Sequence, residues 1–213
     1  MTARGVNALI PRDAFCLVIS APSGAGKTSL TRALLAQEPA LRLSVSMTTR
    51  APRDGETDGE HYHFRDQATF DMTAAADGFL EHAGVFGRSY GSPRAPVEHW
   101  LDHGHDVVFD IDWQGHRQVR AALPGRVVGL FILPPTRAAL ESRLTQRGDT
   151  ASAIAGRMAR ATDEMSHAGA FDHVVVNDDF ATALAQARAV LHAARLARAR
   201  LSGLDRFLGA LSQ

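Results

Sequence analysis

The sequence predicts an α/β fold, a parallel sheet flanked by helices, and three observations carry that prediction. Apolar runs rich in β-formers recur at residues 15–20, 107–111, 127–133 and 173–177. Segments with helical apolar spacing separate them, among them 28–35, 137–146 and 181–200. Strands joined by helices run parallel and are covered on both faces, which is why these runs are continuously apolar. The third observation is residues 46–96, where short polar segments rich in Thr, Arg, Gly and aromatics break the alternation. That stretch predicts a subdomain inserted into a core made of residues 1–45 and 97–213.

The first run leads into Ala21-Pro22-Ser23-Gly24-Ala25-Gly26-Lys27-Thr28-Ser29, and a helical pattern follows. A glycine-rich turn ending in Gly-Lys-Thr between strand and helix is the setting in which backbone amides wrap phosphates. Of the 23 lysines and arginines, Lys27 is the one lysine. A composition that takes arginine everywhere else marks this position as one where a planar fork does not serve. The space between two phosphates admits a compact ammonium on a thin stem. Ala21 stands where the motif has its first glycine, so that position must take a backbone conformation alanine tolerates.

Within the inserted stretch, Arg50 and Arg53 lie three apart around Pro52, a pairing that suits a dianionic phosphate. The chain has ten phenylalanines and two tyrosines, Tyr62 and Tyr90, and both tyrosines fall in this stretch. Where phenylalanine is the default, a phenol implies a use for its O–H. The run at 107–111 continues into Asp112, so Asp110 and Asp112 are expected on one side of the pleat, facing a ligand crevice. Asp110 with Thr28 is the pair expected to hold magnesium; helix capping is the competing account of the two acids. A polar insertion at about 145–156 after a helix has the composition of a lid. The strand at 173–177 ends in Asn177, and residues from about 192 to 213 extend the chain as an arginine-rich amphipathic helix with leucines at 191, 196, 201, 204 and 208. A solvated basic face, or a contact between copies of the chain, is expected of that helix.

Composition narrows the functional class. A formal net charge of zero gives no broad footprint for nucleic acid. The one cysteine, Cys16, lies in the first apolar run, which excludes an intrachain disulfide and implies a reducing, cytoplasmic setting. The longest apolar run, 127–133, is too short to cross a bilayer and no signal-peptide pattern opens the chain, so no membrane association is expected. The pairs His61/His63 and His103/His105 lack a third converging ligand in sequence and are expected to be exposed or locally bonded.

Taken together, the stretches APSGAGKTSL, SVSMTTRAPRDGE, GEHYHF, GFLEHAGVFG, SYGS, DIDWQG, FILPP, SRLTQRG and VVVNDD resemble guanylate kinases from residue 15 to about 191. The resemblance implies a P-loop nucleoside monophosphate kinase-like fold, with residues 46–96 as the GMP-binding subdomain. It implies transfer of the γ-phosphoryl group of ATP to GMP, with magnesium. On matching positions it places the GMP phosphate on Arg50, Arg53, Tyr62 and Tyr90, and guanine on Ser46, Glu81, Ser92 and Asp112. The lid arginines fall on Arg143, Arg147 and Arg157, and Asn177 matches a position near the adenine, with a helix cap as its other reading. Chemistry agrees for Glu81: guanine offers two N–H donors on one edge, whereas adenine presents a bare acceptor there. Sites built on such hydrogen bonds discriminate by roughly 10⁴ to 10⁵.

Departures from the family pattern are His82 after Glu81, Arg88-Ser89 before Tyr90, and a lid segment at 148–153 one residue shorter than usual and without the common acidic pair. A partner-docking module of the same shape is the rival class, but it has no use for a solitary lysine at position 27. A kinase acting on another phosphorylated acceptor would not need Glu81 and Asp112.

Overall fold

Alternation within the first apolar run decides how the core divides. In the computed structural model, which describes residues 10–85, 87–146, 148 and 150–212, that run becomes β1 (Cys16–Ser20), the central strand of a five-stranded sheet. Successive side chains of a strand point to opposite faces. Phe15, Leu17 and Ile19 therefore enter one buried cluster, while Cys16 and Val18 enter another. The remaining strands are β2 (Leu41–Leu43), β7 (Asp106–Asp110), β8 (Val127–Leu133) and β9 (His173–Val176), in the order β2-β7-β1-β8-β9, all parallel. Cys16 is fully buried, and burial pushes its thiol up to about 12, so it behaves as a small apolar side chain.

Helices α1 (Lys27–Gln37) and α7 (Phe180–Leu196) cover one face through Leu30, Leu34, Ala187 and Leu191. The other face is covered by α3 (Arg94–Asp102) and α4 (Trp113–Ala122) through Val97, Leu101 and Val119. Between β2 and α3 the chain makes a second, four-stranded sheet from β3 (Met47–Thr48), β4 (His63–Phe64), β5 (Phe79–Val85) and β6 (Arg88–Pro93), with α2 (Gln67–Ala75) packed against β5. Its order, β4-β3-β6-β5, pairs β5 and β6 as an antiparallel hairpin. A third apolar cluster joins α5 (Arg137–Gln146) and α6 (Ala151–Ser166) around Ala25, which anchors the glycine-rich loop to both helices.

Two expectations are corrected here. The strand carrying Asp110 ends at that residue, and Asp112 lies beyond it as the N-cap of α4, its Oδ1 accepting the Gly115 N–H at 2.9 Å. The pleat therefore does not align the two acids. The arginine-rich C-terminal stretch is not one solvated helix either. α7 stops at Leu196, a 3₁₀ turn follows at Arg198–Arg200, and α8 (Leu204–Leu211) is separate. Arg195 is 4% exposed. Its Nε donates to Asp106 Oδ2 at 2.8 Å and its Nη1 to Glu38 Oε2 at 2.7 Å. Arg12 forks onto the same Asp106 at 2.7 and 2.8 Å, while Arg188 and His192 reach the other oxygen of Glu38 at 2.7 Å each. Buried acids supplied by β7 and the α1–β2 connection thus draw inward the cations that local composition assigned to water.

Candidate active site

The glycine-rich loop is shaped by two left-handed residues, Gly24 (φ 94°) and Gly26 (φ 97°), which a side chain would strain. Gly26 is hemmed in as well, because a Cβ there would lie 2.4 Å from Asn177 Nδ2. Ala21, among the described residues, has no such backbone requirement, so alanine is tolerated in place of glycine. Gly26 caps α1 without a side-chain partner for the first helical amides, which leaves them, with the positive end of the helix dipole, for an anion. The loop residues Ala21, Pro22, Ser23, Gly24 and Gly26, with Lys27, Thr28 and Ser29, line a cavity of about 580 Å³ that is closed by Asp112, Arg143, Gln146 and Glu164. Ala25 is the exception, fully buried beneath the loop.

Lys27 Nζ rests 2.8 Å from Asp110 Oδ1 and donates to the Ile111 carbonyl at 3.0 Å, while Thr28 Oγ1 donates to Asp110 Oδ2 at 2.7 Å. A hydroxyl and a carboxylate side by side at the mouth of a phosphate loop are the hard oxygen donors magnesium takes. Asn177 Nδ2 donates to the Ala25 carbonyl at 2.8 Å, and the side chain is buried under the loop, while Asp179 provides the cap of α7. Arg143 Nη2 donates to the Asn177 carbonyl at 2.8 Å. Arg143 borders the cavity, and its Nη1, buried away from solvent, has no hydrogen-bond partner among the described residues. From α6, Arg157 Nη1 reaches Ser23 Oγ at 3.0 Å. Arg147 lies outside the described residues.

A second cavity, of about 380 Å³, adjoins the first through Thr28 and is bordered by Asp110, Ser46, Glu56, Glu60 and Tyr62. Above it the Arg50 guanidinium sits 5.4 Å from the Tyr62 ring centre, and the Tyr62 and Tyr90 rings are 6.1 Å apart. The expected phosphate-holding residues Arg50, Tyr62 and Tyr90 are therefore neighbours. Arg53 is exposed nearby, its backbone N–H bonded to Glu56 Oε2 at 2.7 Å. Deeper in, Glu81 is 7% exposed and accepts the Ser92 hydroxyl at 2.6 Å. Burial, followed by the charge of Asp112, raises the Glu81 pKa, against the Ser92 hydrogen bonds and the field of Lys27. Glu81 and Asp112 converge on Gly115: its N–H serves Asp112, and a Cβ there would lie 3.2 Å from Glu81 Oε2. Two carboxylates thus meet at Gly115: Glu81 is buried, and Asp112 lines the phosphate-loop cavity.

Two acids that line these cavities, Glu56 in the second and Glu164 in the first, did not stand out in the sequence. Glu56 grips both terminal nitrogens of Arg50, at 2.8 and 2.9 Å, and that grip, with the Arg53 N–H, holds the Glu56 carboxyl down to about 2. The available signal was a carboxylate three residues after Arg53. Glu164 lies seven residues after Arg157, two helical turns along the same face. His61 accepts from the Thr57 N–H and His103 bonds to the His99 carbonyl, both locally, whereas half-buried His105 bonds to the Ala40 carbonyl, 65 residues away in sequence. Among the described residues no helix is long and apolar enough to cross a membrane.

The family model for guanylate kinase matches residues 14–194. The chain is 58% identical over 200 residues to a guanylate kinase of Granulibacter bethesdensis, covering 94% of each chain. It is 60% identical over 196 residues to one from Gluconobacter oxydans, covering 92% of this chain and 94% of that relative. Its structure matches the crystal structure of guanylate kinase from Anaplasma phagocytophilum with a TM-score of 0.77 at 32% identity, covering 94% of this chain and 96% of that one.

Proposed function

Because the chain belongs to the guanylate kinase family and phosphorylates GMP to GDP at the expense of ATP, we propose that the two adjoining cavities divide the reaction between donor and acceptor. The donor triphosphate lies in the phosphate loop, with Lys27 between its outer phosphates and Asn177 holding the loop in shape near the adenine. Thr28 and Asp110 would hold magnesium, which would supply positive charge beside the donor phosphates. Arg143, Arg147 and Arg157 form the lid set, and residues 46–96 bind GMP. Arg50, Arg53, Tyr62 and Tyr90 hold its phosphate, while Ser46, Glu81, Ser92 and Asp112 read guanine. The reaction takes place in the cytoplasm, where a lone buried thiol needs no oxidising partner.

No catalytic base is needed in this reading. The nucleophile is a phosphate oxygen of GMP, and a phosphate monoester with a second pKa of about 6 is already ionised at neutral pH. Rate then comes from aligning two anions and screening their repulsion. Lys27 and Arg143 are suited to that task because both are cations that line the donor cavity. GMP's phosphate has to compete with Glu56 for Arg50, which keeps the guanidinium oriented until the acceptor arrives.

The observation that carries this assignment is a buried carboxylate, Glu81, close enough to Asp112 and Lys27 to feel the charge of both. GDP formation with ATP, magnesium and GMP, compared with AMP and UMP as acceptors, tests it directly. Glu81→Gln keeps the shape but replaces one acceptor oxygen with a donor, so kcat/KM for GMP should drop about 10²-fold while the melting temperature stays close to wild type. An unchanged preference for GMP over AMP would remove Glu81 from base reading. Tyr62→Phe should raise the KM for GMP by the worth of one hydrogen bond to a charged group, about 1.5–3 kcal/mol; an unaltered KM in steady-state kinetics would assign that phenol to packing.

A further inference from the structure

Glu164 places a second carboxylate, beside Asp112, in the cavity of a loop arranged for anions. It projects from α6 into the wall of the phosphate-loop cavity, where its Oε2 accepts the Ser23 N–H at 3.2 Å. Two turns earlier on the same helix, Arg157 donates to the Ser23 hydroxyl at 3.0 Å. Ser23 is therefore held by α6 twice, once through its main chain and once through its side chain.

The charges around this carboxylate come from several elements: Lys27 from α1, Asp112 from the start of α4, Arg143 from α5, and Arg160 and Arg157 from α6 itself. Burial raises the Glu164 pKa and Asp112 adds to the effect, against the Ser23 N–H, Lys27 and Arg160. A phosphate loop binds its ligand through backbone amides. A carboxylate on one of them takes a position suited to a phosphate oxygen, and two anions close together in a partly dry cavity repel each other.

We propose that Glu164 is a positioning residue for donor exchange: it docks α6 onto the phosphate loop through Ser23, and an incoming triphosphate must displace it. The inference rests on the phosphate loop being the donor site. Displacement weakens donor binding and favours release of the spent nucleotide, after which Glu164 returns to the Ser23 N–H and resets the lid helix. Arg157 stays near the transferred group because its contact is with the Ser23 hydroxyl rather than the amide.

The test is calorimetric binding of a non-hydrolysable ATP analogue and, separately, of GMP to the wild-type protein and to Glu164→Gln. Glutamine keeps the length and an oxygen for the Ser23 N–H but removes the charge. The expected result is a Kd for the analogue lowered roughly threefold to tenfold, with the Kd for GMP unchanged. A loss of structure would weaken donor binding, so the direction of the change separates an electrostatic role from a packing role. Glu164→Gln binding the analogue no more tightly than wild type overturns the proposal, as does an equal tightening for GMP. Failure of the wild-type protein to bind the analogue would remove the donor-site assignment and this inference with it; normal wild-type binding with an unshifted variant removes this inference alone.

Discussion

Lys27→Arg is expected to lower kcat by about 10²–10³, the loss typical of removing one preorganised charge-stabilising donor, while GMP binds as before. The ammonium reaches the Ile111 carbonyl at 3.0 Å and Asp110 at 2.8 Å from a stem that threads between the loop and the end of β7. A guanidinium carries the same charge but is planar and wider, and its donors diverge. It would push against Asp110 or the loop rather than fit between two phosphates. Steady-state kinetics with both substrates varied, together with GMP titration, separate the outcomes: kcat falls and the GMP Kd holds. Arginine supporting a near-normal kcat would mean that charge alone matters at this position, and the meaning drawn from the single lysine would be lost.

The second large effect lies at the other end of the sheet. Arg195→Ala should cost about 3–5 kcal/mol of stability, the usual consequence of removing one partner from a buried ionic cluster, and lower the melting temperature by about 10 °C for a chain of this size. Asp106 is fully buried and Glu38 nearly so, and Arg195 is the residue that bridges them. The cluster also has a pH signature. Burial alone would raise the Glu38 pKa, but hydrogen bonds from Arg188, His192 and Arg195 outweigh it and bring it from its ordinary value of 4.5 down to about 2. A group whose pKa is lower in the folded state stabilises the fold above its unfolded value and loses that contribution as pH falls through the folded one. Wild-type stability should therefore decline between pH 4.5 and 2, and the decline should be shallower in Arg195→Ala. Calorimetric melting across that range checks both the size and the slope. Because Asp106 and Asp110 stand at opposite ends of β7, kcat below the melting range should stay near wild type; a collapse of kcat without a fall in melting temperature would contradict a purely structural role.

These two predictions differ in how visible their residues were in the sequence. Lys27 announces itself through composition, and its loop through a contiguous pattern whose glycines meet a backbone requirement at Gly24 and Gly26. Tyr62, Tyr90 and Glu81 stand out with the help of neighbouring motif residues. Arg195 and Arg188 offered no such cue. An arginine on a C-terminal helix has the same local pattern whether it faces water or a buried acid, and its partner Glu38 is 157 residues away. The continuous basic helix expected there broke after Leu196 because the chain turns back to meet the N-terminal arm, where Asp13 N–H bonds to the Arg200 carbonyl at 2.8 Å and Gly203 N–H to the Pro11 carbonyl at 3.0 Å.

What the sequence determined by itself is the strand–loop–helix of the donor site and the sheet that bears it. Their requirements are local: a left-handed backbone at particular residues, an apolar run of strand length, a cation of one shape. The tertiary structure alone decided which acids govern that machinery. Glu164 on the Ser23 amide across 141 residues, and Glu38 with Asp106 on Arg195, are contacts between segments far apart in sequence. A carboxylate's influence extends only over a few ångströms of partly dry space, and that proximity is set by packing rather than by order along the chain.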